Sequence, residues 1–165
     1  MTRAAPPGEG RGVSEDASVR YLGLDVGDRR IGVALSDETA TIANGLSTLG
    51  RIGPRKDVRA VAELVRRHDA REVVVGLPRK LDGTIGEQAR KVLEFMDALR
   101  PAVGVPVVPW DERFTTAMAS DVLIAGGVSR RQRKAVVDKV SAILILQNYL
   151  DYRKLAAAEA EEPSA

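Results

Sequence analysis

The chain has 165 residues, enough for one ordinary domain, and its 44% hydrophobic and 29% charged content is that of a globular protein. The lack of cysteine and a single histidine exclude disulfides, thiolate metal sites, a cysteine nucleophile and multi-histidine centres, leaving carboxylates and metal ions for any catalysis. With 25 basic against 23 acidic side chains the net charge is only +2, so a nucleic-acid partner would have to be held by local clusters.

Residues 1–19, rich in Pro, Gly, Ala and acids, are expected to be a flexible leader, without the apolar core of a signal peptide. Val19 to Val26 reads as a strand whose Leu22, Leu24 and Val26 share one face, leaving Tyr21, Gly23 and Asp25 on the other. Gly27-Asp28 signals a turn into a second strand, Ile31 to Leu35, and Thr41 to Leu49 reads as a third, completing a meander. After Pro54, the spacing of Val58, Val61, Ala62 and Val65 predicts an amphipathic helix, with His68 near its end. Glu72 to Gly76 carries Val73-Val74-Val75, a short buried strand. A polar loop follows, from Leu77 to Gly86. Thr84 and Glu87 have capping-box spacing for a helix whose stripe is Ile85, Ala89, Val92, Leu93 and Met96.

Val105 to Trp110 is a further short strand, with Trp110 read as packing. Thr115 or Thr116 can cap a helix that stops at Gly126-Gly127. Ser129 and Gln132 form a second capping box for a helix running to about Tyr152, with Val136, Val140, Ile143, Leu144, Gln147 and Leu150 along one side. The expected architecture is an α/β domain over residues 20–153, with a mixed sheet opening on an antiparallel three-strand meander and helices on both faces. Residues 154–165 are expected to be a C-terminal tail. No apolar run approaches the ~20 residues of a membrane span.

Three acids stand out by position: Asp25 at the end of the first strand, Glu112 after the strand that ends at Trp110, and Asp138 in the last long helix. Ligands gather at the carboxyl ends of strands in open sheets. Carboxylates converging there without Cys or His favour hard ions such as Mg²⁺ or Mn²⁺, and two such ions can drive phosphodiester hydrolysis. Each acid alone has a plainer reading: Asp25 as a turn residue, Glu112 as a surface charge beside Arg113, Asp138 as an i,i+4 partner of Lys134. The metal reading rests on the three together. Two cationic groups suit phosphates: Arg79 and Lys80 in the loop after the valine strand, and Arg130, Arg131, Arg133 and Lys134 at a helix start, where basic charge opposes the dipole. Arg113 joins them by its place next to Glu112. With six aromatic residues (one Trp, three Tyr, two Phe), recognition of backbone shape suits this chain better than base stacking.

Four segments resemble the motifs of the YqgF/RuvX family. They are Leu22-Gly23-Leu24-Asp25-Val26-Gly27 continuing to Asp37, Val74-Val75-Gly76-Leu77-Pro78 with Asp82-Gly83-Thr84, Asp111-Glu112-Arg113-Phe114-Thr115-Thr116, and Asp138 followed by Ser141-Ala142-Ile143-Leu144. The resemblance implies an RNase H-like fold related to RuvC-type Holliday junction resolvases. It also implies a bacterial cytoplasmic nuclease for the 5′ end of precursor 16S ribosomal RNA, with Asp25, Glu112 and Asp138 as catalytic metal-binding acids and Mg²⁺ or Mn²⁺ as cofactor. Expected partners are structured RNA or branched DNA, with ribosomal subunit proteins as further candidates, and a monomer or homodimer. The alternatives are a junction resolvase, a non-catalytic nucleic-acid-binding module, and a phosphotransferase of the sugar-kinase type. The last would need a second phosphate-cradling domain, and the chain has one copy of the strand-turn motif.

Overall fold

The computed structural model describes residues 18–112 and 130–161, the side chains of 130–138 and 161 excepted. Its elements are β1 (Arg20–Val26), β2 (Arg30–Ser36), β3 (Ala43–Gly50), α1 (Pro54–His68), β4 (Ala70–Leu77), α2 (Glu87–Val103), β5 (Val107–Asp111) and α3 (Arg130–Glu161). The strands lie in the order β3-β2-β1-β4-β5. β1, β2 and β3 form the expected antiparallel meander, while β4 runs parallel to both β1 and β5. Strand boundaries differ from the sequence reading by one or two residues, which is the ordinary uncertainty of strand ends.

Alternation along the strands divides the core in two. Leu22, Leu24 and Val26 of β1 and Val73, Val75 and Leu77 of β4 face α1 and α2, joining Val61, Val65, Val92, Phe95, Met96 and Leu99. Tyr21 and Val74 face the other way, against Ala142, Ile145, Leu146 and Leu150 of α3. The helices therefore cover both faces, and β4, bounded by parallel strands and buried on both sides, has the continuous valine run such a strand needs.

Three local expectations are corrected. The Thr84–Glu87 capping box does not form: Gly86 is the N-cap of α2, and both the amide and the hydroxyl of Thr84 donate to Asp82 Oδ1, at 3.0 and 2.7 Å. The Asx-type turn takes the hydroxyl that a cap would have used. Ile85 consequently stays outside the helix and exposed, and the buried stripe is Ala89, Val92, Phe95, Met96 and Leu99.

The buried stripe of α3 is also rotated from the expected one. Ser141, Ala142, Ile145, Leu146 and Leu150 are buried, while Ile143 and Leu144 are only half-buried. The cause is close approach: a Cβ at Gly23 would lie 2.7 Å from Leu146 Cβ and 3.1 Å from the Ala142 carbonyl oxygen, so the small side of α3 meets the sheet. Gln147 serves as a polar clamp, accepting from the Ala43 amide and donating to the Thr41 carbonyl, each at 2.9 Å. Finally, α3 runs past Tyr152 to Glu161, so much of the expected tail is helix. The expected helix from Thr115 or Thr116 to Gly126, the Ser129 cap and the side chain of Val136 lie outside the described residues.

One ion pair joins several of these elements. Asp57, in the first turn of α1, is 4% exposed and accepts from Arg51 Nε at 3.0 Å and the Ile52 amide at 2.9 Å. Arg51 also donates to the Gly27 carbonyl at 2.9 Å and stacks over Phe95, so it ties the β1–β2 turn to α1 and α2. Burial pushes the Asp57 carboxyl up, but the Ile52 amide, Arg51 and the Gly53 amide outweigh it and hold its pKa below the usual range. That stabilisation is present above the unfolded carboxylate pKa and is lost as pH falls through the lowered folded value. Asp57→Ala should cost about 1.5–3 kcal/mol at pH 7. Chemical denaturation across pH checks this: the gap from wild type should narrow in acid, and a gap that is constant with pH would contradict the assignment.

Candidate functional site

The site lies where β1, β4 and β5 end together. β1 pairs Leu24 with Val75, and β4 pairs Gly76 with Trp110, so Asp25, Gly76 and Trp110 form one row across three parallel strand ends. Alternation puts this row on the α3 side. Glu112 leaves β5 just beyond, its amide donating to the Leu77 carbonyl at 3.3 Å. Its carboxyl turns back over β4. A Cβ built on Gly76 would collide with Glu112 Oε2 and with Ile145 Cδ1, so the missing side chain is the space that admits the carboxyl.

Glu112 is 9% exposed, and its Oε2 is buried without a hydrogen-bond partner. Burial, then the charge of Asp25, then that of Asp111 raise its pKa from 4.5 to about 8. Asp25 itself is half-buried at the end of β1. Two carboxylates thus converge across β4, one of them buried with an oxygen that no protein donor meets. Oxygen ligands without Cys or His suit a hard divalent cation, and a buried carboxylate beside a second acid is a concentration of negative charge that such a cation would neutralise. Asp138 lies in α3, the helix packed over this edge, but its side chain is outside the described residues. Among the described residues, no group of three or more acids or histidines forms a metal-binding cluster.

This geometry can be compared with known proteins. A family model described as "RuvX: Holliday junction resolvase" matches residues 19–152. The chain belongs to the RuvX family. Relatives named "Putative pre-16S rRNA nuclease" include one from Caldanaerobacter subterraneus subsp. tengcongensis, 50% identical over 137 residues, covering 82% of this chain and 99% of the relative. One from Desulforudis audaxviator is 49% identical over 136 residues, covering 82% of this chain and 96% of the relative. Among solved structures, Thermus thermophilus RuvC in complex with a Holliday junction substrate aligns with a TM-score of 0.53 at 19% identity, covering 82% of this chain and 96% of that one. The fowlpox virus resolvase with Holliday junction DNA gives 0.53 at 13% identity, over 81% and 98%. At such identities the structural likeness speaks for the fold, and the RuvX-family chain has the expected RNase H-like fold.

The candidate phosphate contacts divide by place. Arg79 and Lys80 are exposed in the loop just after β4, at the end of the sheet where the acids lie. That loop is closed by the Gly83 amide on the Lys80 carbonyl (2.7 Å) and the Lys80 amide on the Thr84 carbonyl (3.1 Å), with Gly83 at a φ of 85° that favours glycine. Arg130, Arg131, Arg133 and Lys134 occupy the first turns of α3, which carry no acid, and their side chains are outside the described residues, as is all of Arg113. No helix of the described residues is long and apolar enough to cross a membrane.

The sequence reading did not single out Gly76 as part of the site or place Asp111. Asp111 pairs in register with Leu77, so it lies on the opposite side of β5 from Trp110 and acts on Glu112 through its charge. The signal for Gly76 was a glycine closing a run of three valines, a place where a strand loses packing unless something else needs the room.

A raised carboxyl pKa has a definite sign. The folded protein holds the Glu112 proton up to about pH 8, while the unfolded chain releases it near 4.5, so stability without metal falls as pH rises between those values. Glu112→Gln removes the ionisation. It should match wild type near pH 4.5 and gain on it as pH rises, by roughly 3–5 kcal/mol above pH 8, as read by denaturation in chelator. Parallel stability curves for the two proteins would rule out the raised value.

Proposed function

We propose that this RuvX-family chain is a metal-dependent endonuclease for structured nucleic acid, and that its substrate is the 5′ end of precursor 16S ribosomal RNA. The observation that carries the reading is the Glu112 carboxyl, buried against Asp25 at the ends of the parallel strands with one oxygen unmatched. The names of its relatives supply the substrate. Asp25, Glu112 and Asp138 would hold Mg²⁺ or Mn²⁺. Such an ion, when bound, lowers the pKa of water and neutralises charge developing on a phosphate oxygen.

The chain's own residues have separable tasks. Glu112 must lose its proton for the site to load, so binding of the cation releases a proton below about pH 8. Ile145 and the neighbouring strands keep its carboxyl out of bulk water. Arg79 and Lys80, with Arg113, Arg130, Arg131, Arg133 and Lys134, would hold the substrate's phosphates and align the scissile one with the acids. The work is cytoplasmic in this reading, at the maturing ribosomal subunit, whose proteins would be neighbours of the substrate.

A second reading is a junction resolvase, favoured by solved relatives of the same fold that hold Holliday junction DNA. Purified protein should cleave precursor 16S ends in Mg²⁺ or Mn²⁺. Asp25→Asn and Asp138→Asn should each lower the rate about 10²–10³-fold, the scale for loss of one preorganised electrostatic group. Four-way DNA junctions run alongside decide between substrates: preferential junction cutting would replace the RNA reading. Binding of both nucleic acids without cleavage of either would leave a non-catalytic module.

A further inference from the structure

Ser141 carries a hydroxyl that the fold leaves idle. Its residue is wholly buried under α3, and Oγ has no hydrogen-bond partner. A serine inside a helix ordinarily donates to the carbonyl a turn earlier, and this one does not. An unmatched buried hydroxyl is less favourable than the methyl group of alanine in the same place.

The place of Ser141 gives the hydroxyl a use. Ser141 and Ile145 are four residues apart and share a helix face. Ile145 Cδ1 and Glu112 Oε2 press on the same point above Gly76. Asp138 lies one turn of α3 to the other side of Ser141. The turn carrying Ser141 thus lies between the turn whose Ile145 meets Glu112 and the turn that carries Asp138. Buried side-chain polar atoms without partners are rare in the described residues: Glu112 Oε2 and Ser141 Oγ are two, and Arg20 Nε, at the start of β1, is the third. Buried polar atoms left in this way are commonly joined by an ordered water.

We propose that Ser141 is a positioning residue for a divalent-cation centre: its hydroxyl, through one ordered water, orients the Glu112 carboxylate when the cation is bound. The inference rests on the acid-site reading above. In the cation-free protein the hydroxyl is an unmatched burden, and in the loaded protein it is matched. Removing it therefore has opposite effects on the two states, which a residue serving only the packing of α3 would not show.

The test measures Mn²⁺ affinity by calorimetry and melting temperature with and without Mn²⁺, for wild type, Ser141→Ala and Asp25→Asn. Ser141→Ala is expected to melt no lower than wild type in chelator, to bind Mn²⁺ about tenfold more weakly, and to gain less in melting temperature from the ion. Unchanged Mn²⁺ affinity in Ser141→Ala, while Asp25→Asn loses binding, would overturn the role of Ser141 and leave the acid site standing. A lowered melting temperature in chelator with unchanged affinity would assign Ser141 to packing alone. Wild type that fails to bind Mn²⁺ would remove the acid-site reading, and the role of Ser141 with it.

Discussion

A carboxyl group held out of water beside another acid is the condition around which the rest of this structure is arranged. Burial, then the charges of Asp25 and Asp111, push the Glu112 carboxyl up to about 8. The proton is the neutralising partner at neutral pH, and a divalent ion is the partner that chemistry of this kind requires. Gly76 makes the arrangement sterically possible, because any side chain there would take the volume of the carboxyl. At this end of the sheet β4 brings no acid, and its contribution is the position without a side chain at Gly76, between the acids that follow from β1 and β5.

Such a site needs stiff surroundings, since like-charged groups separate if the backbone yields. The parallel register of β1, β4 and β5 supplies part of this. The helix above supplies the rest, drawn onto the sheet at Gly23 and held at two further places. Gln147 bonds the backbone before and at the start of β3. Farther along, Tyr149 donates to Glu72, and Arg153 lies over the rings of Tyr21 and Tyr149 while reaching Glu72 Oε2 at 3.2 Å. On the opposite face Arg51 and Asp57 secure the turn that follows Asp25. These polar ties sit around the acids and hold the helix and the turn beside them in place.

Much of this is written locally in the chain. The alternation in β1 separates Asp25 from Leu22, Leu24 and Val26, and the valine run of β4 marks a doubly buried strand. Asp25 and Glu112 follow from strand ends alone. Features set by long-range fit were less legible. The capping pattern at Thr84 is overridden by Asp82, a nearer acceptor. The apolar pattern of α3 points to its larger residues, whereas contact with a glycine of β1 selects its smaller face. Ser141 shows the same limit: a serine in a helical pattern gives no sign of whether its hydroxyl meets a carbonyl, water or nothing.

The far end of α3 follows a different physics from the turns that press on the sheet. From Leu155 to Ala160 every residue is exposed, and Leu150 is the last buried residue of the helix. A free peptide this short would be mostly coil, since nucleating a helix is unfavourable. Here the anchored turns serve as the nucleus, and Ala and Glu, both good helix formers, merely extend it. The extension can therefore unwind from its end one residue at a time without disturbing the body. Amide exchange along this single helix would change from cooperative and slow at Ile145 and Leu146 to graded and fast beyond Leu155.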